Sequence, residues 1–264
     1  MGKRTDGYAL WDRAVHRGGI GHTAAAFALL DGADRVGRER GDDVLSSLAS
    51  STRASLLRQA GRHRQAATYD GRALLLVGVG SPDGGQRRMA AGGRWRQAAL
   101  LDALVGLAAD HLGRLRLSDA ARLLDRARDH ADPDDGGWLA GRRPRLRIEW
   151  VSAELAMYGG DAAKAVGHAE AGCRLAELGD TPERHRVKTT LIAAAAAATA
   201  GDSRHAAELA GEVTRRAADA GLMPLQWASL ALRNGLDAGD EQVTKELART
   251  RSELISRGVP FDNA

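Results

Sequence analysis

A small unit recurs along the chain: a glycine, then an alanine five residues later. Gly61 leads to Ala66, Gly160 to Ala165 and Gly201 to Ala206. Ala73 follows Ala66 by seven residues, and Ala120, Leu124 and Ala127 repeat the same alternation of small, bulky and small side chains. A glycine with backbone freedom can close one helix, and a small residue one turn into the next lets the two helices cross closely. Ala66, Ala120, Ala165 and Ala206 are therefore expected at buried contacts between paired helices.

The rest of the pattern is helical. Leu100, Leu101, Leu104, Leu107 and Ala108 fall on one face at helical spacing, and Ala193–Ala198 is an unbroken run of the best helix former. Aromatic residues are only 4% of the chain, too few for a strand-based sandwich or barrel. Breaks fall at Gly78–Gly85, Asp132–Gly137, Gly159–Asp161, Gly179–Pro182, Gly201–Ser203 and Gly239–Asp240. In several of them an Asp, Ser or Thr can cap the following helix, with Thr181 before Pro182 as one such start. Helices are expected near 7–17, 22–32, 42–60, 63–77, 87–113, 117–130, 144–158, 161–177, 182–199, 203–219, 223–237 and 241–256. Short turns between them imply antiparallel neighbours. The fold expected is all-α, a single domain over residues 1–264.

These features resemble the tetratricopeptide repeat family: the Gly-Asp turn, the alanine four residues after that Asp, and the apolar and small positions at +4 and +7. The resemblance covers about residues 42–219. It departs from the family pattern in spacing, since the anchors Ala66, Ala120, Ala165 and Ala206 stand 54, 45 and 41 residues apart, and in lacking most of the first-helix Trp and Tyr. It implies a right-handed superhelix of about 10–12 helices in antiparallel hairpins, with the first helix of each hairpin lining a concave groove. The stretch Ala217–Leu232 is also similar to the terminal helical repeats of large actinobacterial transcriptional activators.

The search for chemistry is mostly negative. No Gly-x-Ser-x-Gly, His-Glu-x-x-His or Gly-Lys-[Ser/Thr] motif occurs. Gly78-Val79-Gly80 with Gly84 and Gly85 ends a helix and does not follow a strand, so it reads as a linker. Asp132, Asp134 and Asp135 resemble the start of a calcium loop, but Arg143 stands where the closing acid belongs. The eight histidines are scattered, and Cys173, the one cysteine, lies among Ala171, Leu175 and Ala176 as a small hydrophobe. No run is long enough to span a membrane, and the first residues lack an apolar signal core. The expectation is a soluble, cytoplasmic, non-catalytic protein of bacterial type with no cofactor and no metal.

The basic residues are more informative. Only four of the 38 are lysine, so 34 are arginine. A GC-rich coding sequence accounts for such a bias; planar, bidentate recognition of carboxylate or phosphate is the sharper reading. A net charge of +4 is too small by itself to indicate nucleic-acid binding. Counting back from Ala165 and Ala206 puts Arg147 and Lys188 at one repeat position, with Arg145 and Arg186 two residues earlier. Trp150, Glu154 and Tyr158 form a row beside Arg147, and the family register implies Arg58 and Gln59 as groove positions of an earlier repeat. The resulting expectation is an interaction scaffold or adaptor that binds an acidic protein segment at these nine residues. The alternative is a regulatory subunit acting with transcription or nucleic-acid machinery.

Overall fold

The structure, a computed structural model, describes residues 6–78, 93–131 and 137–261. Twelve α-helices account for these residues almost entirely, and no strand occurs among them. They are α1 (Gly7–Gly19), α2 (Thr23–Arg40), α3 (Asp43–Gln59), α4 (His63–Leu76), α5 (Gly93–Leu112), α6 (Leu117–His130), α7 (Arg143–Tyr158), α8 (Ala162–Glu177), α9 (Glu183–Thr199), α10 (Ser203–Asp219), α11 (Met223–Leu236) and α12 (Glu241–Ser256). A π-helical turn, Trp138–Arg142, precedes α7. From α2 to α6 and from α8 to α12 each helix packs on the next in sequence, the arrangement of an all-α helical-repeat fold. The contacts divide into two compact units. One comprises α1 to α6, the π turn and the tail from Val259; the other comprises α7 to α12 from Arg145 to Gly258, with Gly19–Gly21.

The glycine–alanine unit is a repeated backbone motif. At seven turns an N–H reaches back to the carbonyl five residues earlier: His22 to Arg17, Asp42 to Gly37, Arg62 to Leu57, Arg116 to His111, Asp161 to Ala156, Asp202 to Ala197 and Leu222 to Ala217. The residue before each donor is left-handed, which marks the Schellman helix end. Six of these are glycines with φ between 63° and 88°; the seventh is Leu115, at φ 58°. Four residues past each donor, the next helix has closed its first turn, at Ala26, Ser46, Ala66, Ala120, Ala165, Ala206 and Gln226. Ala66, Ala120, Ala165 and Ala206 are fully buried, as the sequence requires, and so is Ala26.

Several boundaries differ from expectation. α2 runs to Arg40 and does not stop near residue 32, because Gly32 lies against Leu10 and the missing side chain makes room for that contact. α9 begins at Glu183, and Thr181 donates to the Leu178 carbonyl, so it does not cap the helix. The caps expected at Asp161 and Asp202 are present, each carboxylate accepting from the backbone three residues on. The π turn has no counterpart in the sequence reading. The linker from residue 79, the Asp132–Gly136 loop and the helix start at 87 lie outside the described residues.

Candidate functional site

The row on α7 and the cation on α9 meet. The Trp150 indole N–H donates to Thr189 Oγ1 at 3.0 Å, and the indole stacks on the His185 ring at 5.8 Å and 23°. Thr189 in turn donates to the His185 carbonyl at 2.8 Å, so its oxygen faces Trp150 as an acceptor. One turn further along α7, Glu154 Oε1 accepts from Lys188 Nζ at 3.4 Å. The apolar contacts continue in the same direction, with Ala153 and Met157 packed in one cluster with Ile192, Ala193 and Ala196. α7 and α9 therefore lie side by side and parallel, as successive first helices of hairpins do. α8 covers α7 from behind, where His168 Nδ1 stands 2.7 Å from Glu149 Oε2, and α9 also packs on α11.

Helical geometry sorts the expected residues. At about 100° per residue, Arg147, Trp150, Glu154 and Tyr158 fall within one quarter of the α7 surface. Tyr158 is 58% exposed, the most open aromatic on this face. Lys188 shares its α9 face with Arg184 and Ala195. Arg145 and Arg186 sit two residues before Arg147 and Lys188, which turns them about 200° away. Arg145 is exposed on that other side, and Arg186 donates to the Gly179 carbonyl at 3.3 Å, bracing the loop before its own helix.

Arg58 and Gln59 belong to the other unit. Gln59 is exposed at the end of α3. Arg58 holds Asp70 Oδ2 through both terminal nitrogens, at 3.1 and 2.8 Å, and approaches Asp110 Oδ1 at 3.3 Å. Both aspartate side chains are fully buried. Across this site Asp70 lies on Gly106 and His63 lies on Gly113, and a Cβ on either glycine would collide with them. These pairs run in opposite directions along α4 and α5, which makes the two helices antiparallel. Arg58 is thus committed to charge balance inside its unit. The sequence reading passed over Asp70 and Asp110; the signal was a charged residue inside an apolar run, as in Ala108-Ala109-Asp110.

Other candidates are quiet. Cys173 is half-buried, and burial, with Glu177 and Glu170 nearby, raises its thiol pKa and keeps it protonated and unreactive. His205 is about half exposed in its turn. Among the described residues no three His, Cys, Asp or Glu side chains are grouped to hold a metal ion, and no helix is long and apolar enough to cross a membrane. No protein-family model and no curated protein sequence matches the chain.

Proposed function

We propose that the chain is a non-catalytic interaction protein, acting without a cofactor in the cytoplasm, that holds an acidic segment of a partner protein. In this reading it is a tetratricopeptide-like right-handed superhelix, and the segment lies on the first-helix face of α7 and α9. One observation carries the reading: the parallel pairing of these helices, in which Trp150 stacks on His185, Glu154 meets Lys188, and Ala153 and Met157 cluster with Ile192 and Ala196. Glu154 and Lys188 meet across it, and Arg147 and Tyr158 share with Glu154 one quarter of the α7 surface. A charged, partly apolar surface on a rigid scaffold suits capture of an extended or helical segment. Trp150 serves by fixing the two helices, and Tyr158 supplies the open aromatic contact.

The test places a photo-crosslinking amino acid at Tyr158, with a second variant carrying it at Leu178, which is 52% exposed in the loop after α8. Both are expressed in the source organism. A protein adduct specific to position 158 is expected. Adducts equally abundant from both positions, or none from position 158, would refute the assignment of this face.

A further inference from the structure

In the buried cluster of the first unit, the single charge of Arg58 is divided between two enclosed carboxylates. Asp70 has the better share, because Arg58 hydrogen-bonds its Oδ2 through both terminal nitrogens. Toward Asp110 Oδ1 the guanidinium stands at 3.3 Å, an ion pair without a hydrogen bond. Among the described residues neither oxygen of Asp110 accepts a hydrogen bond. His63 faces this carboxylate from α4, with Nδ1 3.8 Å from Oδ1, and that nitrogen is likewise shut off from water and without a hydrogen bond. The His63 side chain is 27% exposed, so solvent reaches the ring through its other atoms. Helix geometry fixes the meeting: Gly106, Asp110 and Gly113 stand at i, i+4 and i+7 on α5, and His63 and Asp70 stand seven apart on α4. Asp70 rests on Gly106 and His63 on Gly113, so the polar face of α4 lies directly against α5. The charges next to them in sequence are engaged elsewhere or open to water. The Arg62 guanidinium donates to the Pro260 and Phe261 carbonyls, Arg64 and Arg114 are exposed, and His111 faces Asp119 of α6.

We propose that this cluster is a proton-binding site: packing α4 on α5 takes up one proton, and His63, as imidazolium, supplies the cation that Asp110 needs. The inference is independent of the proposed function. Without the proton, Asp110 depends on a guanidinium that is already hydrogen-bonded to another carboxylate, and a buried charge so poorly matched is costly. Enclosure strengthens the attraction of an imidazolium for it, because little water screens the pair. The proton enters through the exposed part of the ring, so the site exchanges with solvent without unfolding. In the unfolded chain a histidine has no such partner and releases its proton at about pH 6.5. The folded chain therefore holds a proton that the unfolded chain gives up. The stabilisation is complete below about pH 6.5 and is lost as pH rises beyond it. Neutral and mildly acidic conditions hold α4 against α5, and alkaline conditions loosen that contact.

Urea denaturation of the full chain, followed by far-UV circular dichroism in steps from about pH 6.5 to about pH 8.5, tests the site. One proton released on unfolding raises the unfolding constant by up to about tenfold per pH unit. The parent is expected to show that rise over and above His63→Gln and Asp110→Asn. Asp110→Asn keeps the shape of the side chain and leaves Arg58 to Asp70, so it removes the need for the proton while retaining the histidine. His111, whose pKa is lowered by burial and then by Arg116, is present in all three chains and cancels in the comparison. Heteronuclear NMR reads the charge directly. At about pH 7.5, one unit above the ordinary histidine value, the His63 ring nitrogens, identified by their loss in His63→Gln, should show an imidazolium in the parent and a neutral ring in Asp110→Asn. A pH slope that either variant retains, or a neutral His63 ring in the parent, overturns the inference.

Discussion

Arg58→Met asks what the buried charges of the first unit are worth. Asp70 and Asp110 are fully enclosed, and Arg58, itself 14% exposed, lies against both. Methionine keeps the unbranched stem and its packing while deleting the charge. The two carboxylates cannot relax toward water: Gly106 closes on Asp70, where even a methyl group would come within 2.3 Å of Oδ2. His63 also lies nearby, with Nδ1 3.8 Å from Asp110 Oδ1. Breaking a buried pair by removing one partner costs about 3–5 kcal/mol, and Arg58 lies against two buried carboxylates, so a loss in that range is expected. Urea denaturation followed by far-UV circular dichroism measures it. Adding Asp70→Asn and Asp110→Asn removes the stranded charges and should restore roughly half of the loss or more. Were Arg58 a solvent-facing binding residue, Arg58→Met would stay within about 0.5 kcal/mol of the parent, and such a result would refute the argument.

Three further outcomes follow from the turns, the alanine contacts and one tyrosine. Gly160→Ala and Gly201→Ala have open space around the new methyl group, so each should cost about 1 kcal/mol from left-handed strain alone and the two should add; urea titration reads both. Ala120→Leu and Ala165→Leu should each lose about 1–3 kcal/mol by overpacking a fully closed contact, and an unchanged thermal melt for both would disprove the hairpin register. Tyr8 donates to Asp42, and burial, then Asp42, raises its phenol pKa above the ordinary range. The folded chain therefore holds that proton more tightly than the unfolded one. The stabilisation is complete below the ordinary phenol value of about 10 and is lost as pH rises beyond it. Melts of Tyr8→Phe should show a shallower decline above that pH than the parent.

The legible part of the fold was the part that backbone geometry forces into the sequence. A Schellman turn wants glycine, and a close helix crossing wants alanine, so Gly61–Ala66, Gly160–Ala165 and Gly201–Ala206 could be read directly. The same turn before α6 escaped because Leu115 occupies the glycine position. Gly32 misled in the opposite sense: it marks a helix contact with Leu10, and the sequence alone does not separate that use from a break. Within the site, the α7 row was legible from its own periodicity. Its tie to Thr189 and His185 was not, because the offset between parallel helices depends on packing that neither helix records. Arg145 and Arg186 were grouped with Arg147 and Lys188 by sequence proximity, yet two residues in a helix turn a side chain to the far side. Arg58 looked like a groove residue because its acidic partners lie 12 and 52 positions away in sequence, where no local pattern connects them.

Because within each unit helices pack mainly on their sequence neighbours, much of the native structure can form by closing short loops, which favours rapid folding and lets it begin at more than one hairpin. Contacts near the chain ends break that rule: Arg257 donates to the Ile20 carbonyl at 3.3 Å across 237 residues, and a second ties Arg62 to the tail. The Arg62 guanidinium donates to the Pro260 carbonyl at 2.6 Å and to Phe261, across 198 residues of sequence. A closure of that span carries an entropic cost that the hairpins do not, although the cost grows only logarithmically with length. The tail should therefore be among the last segments to settle during refolding and among the first to exchange its amide hydrogens in the native protein.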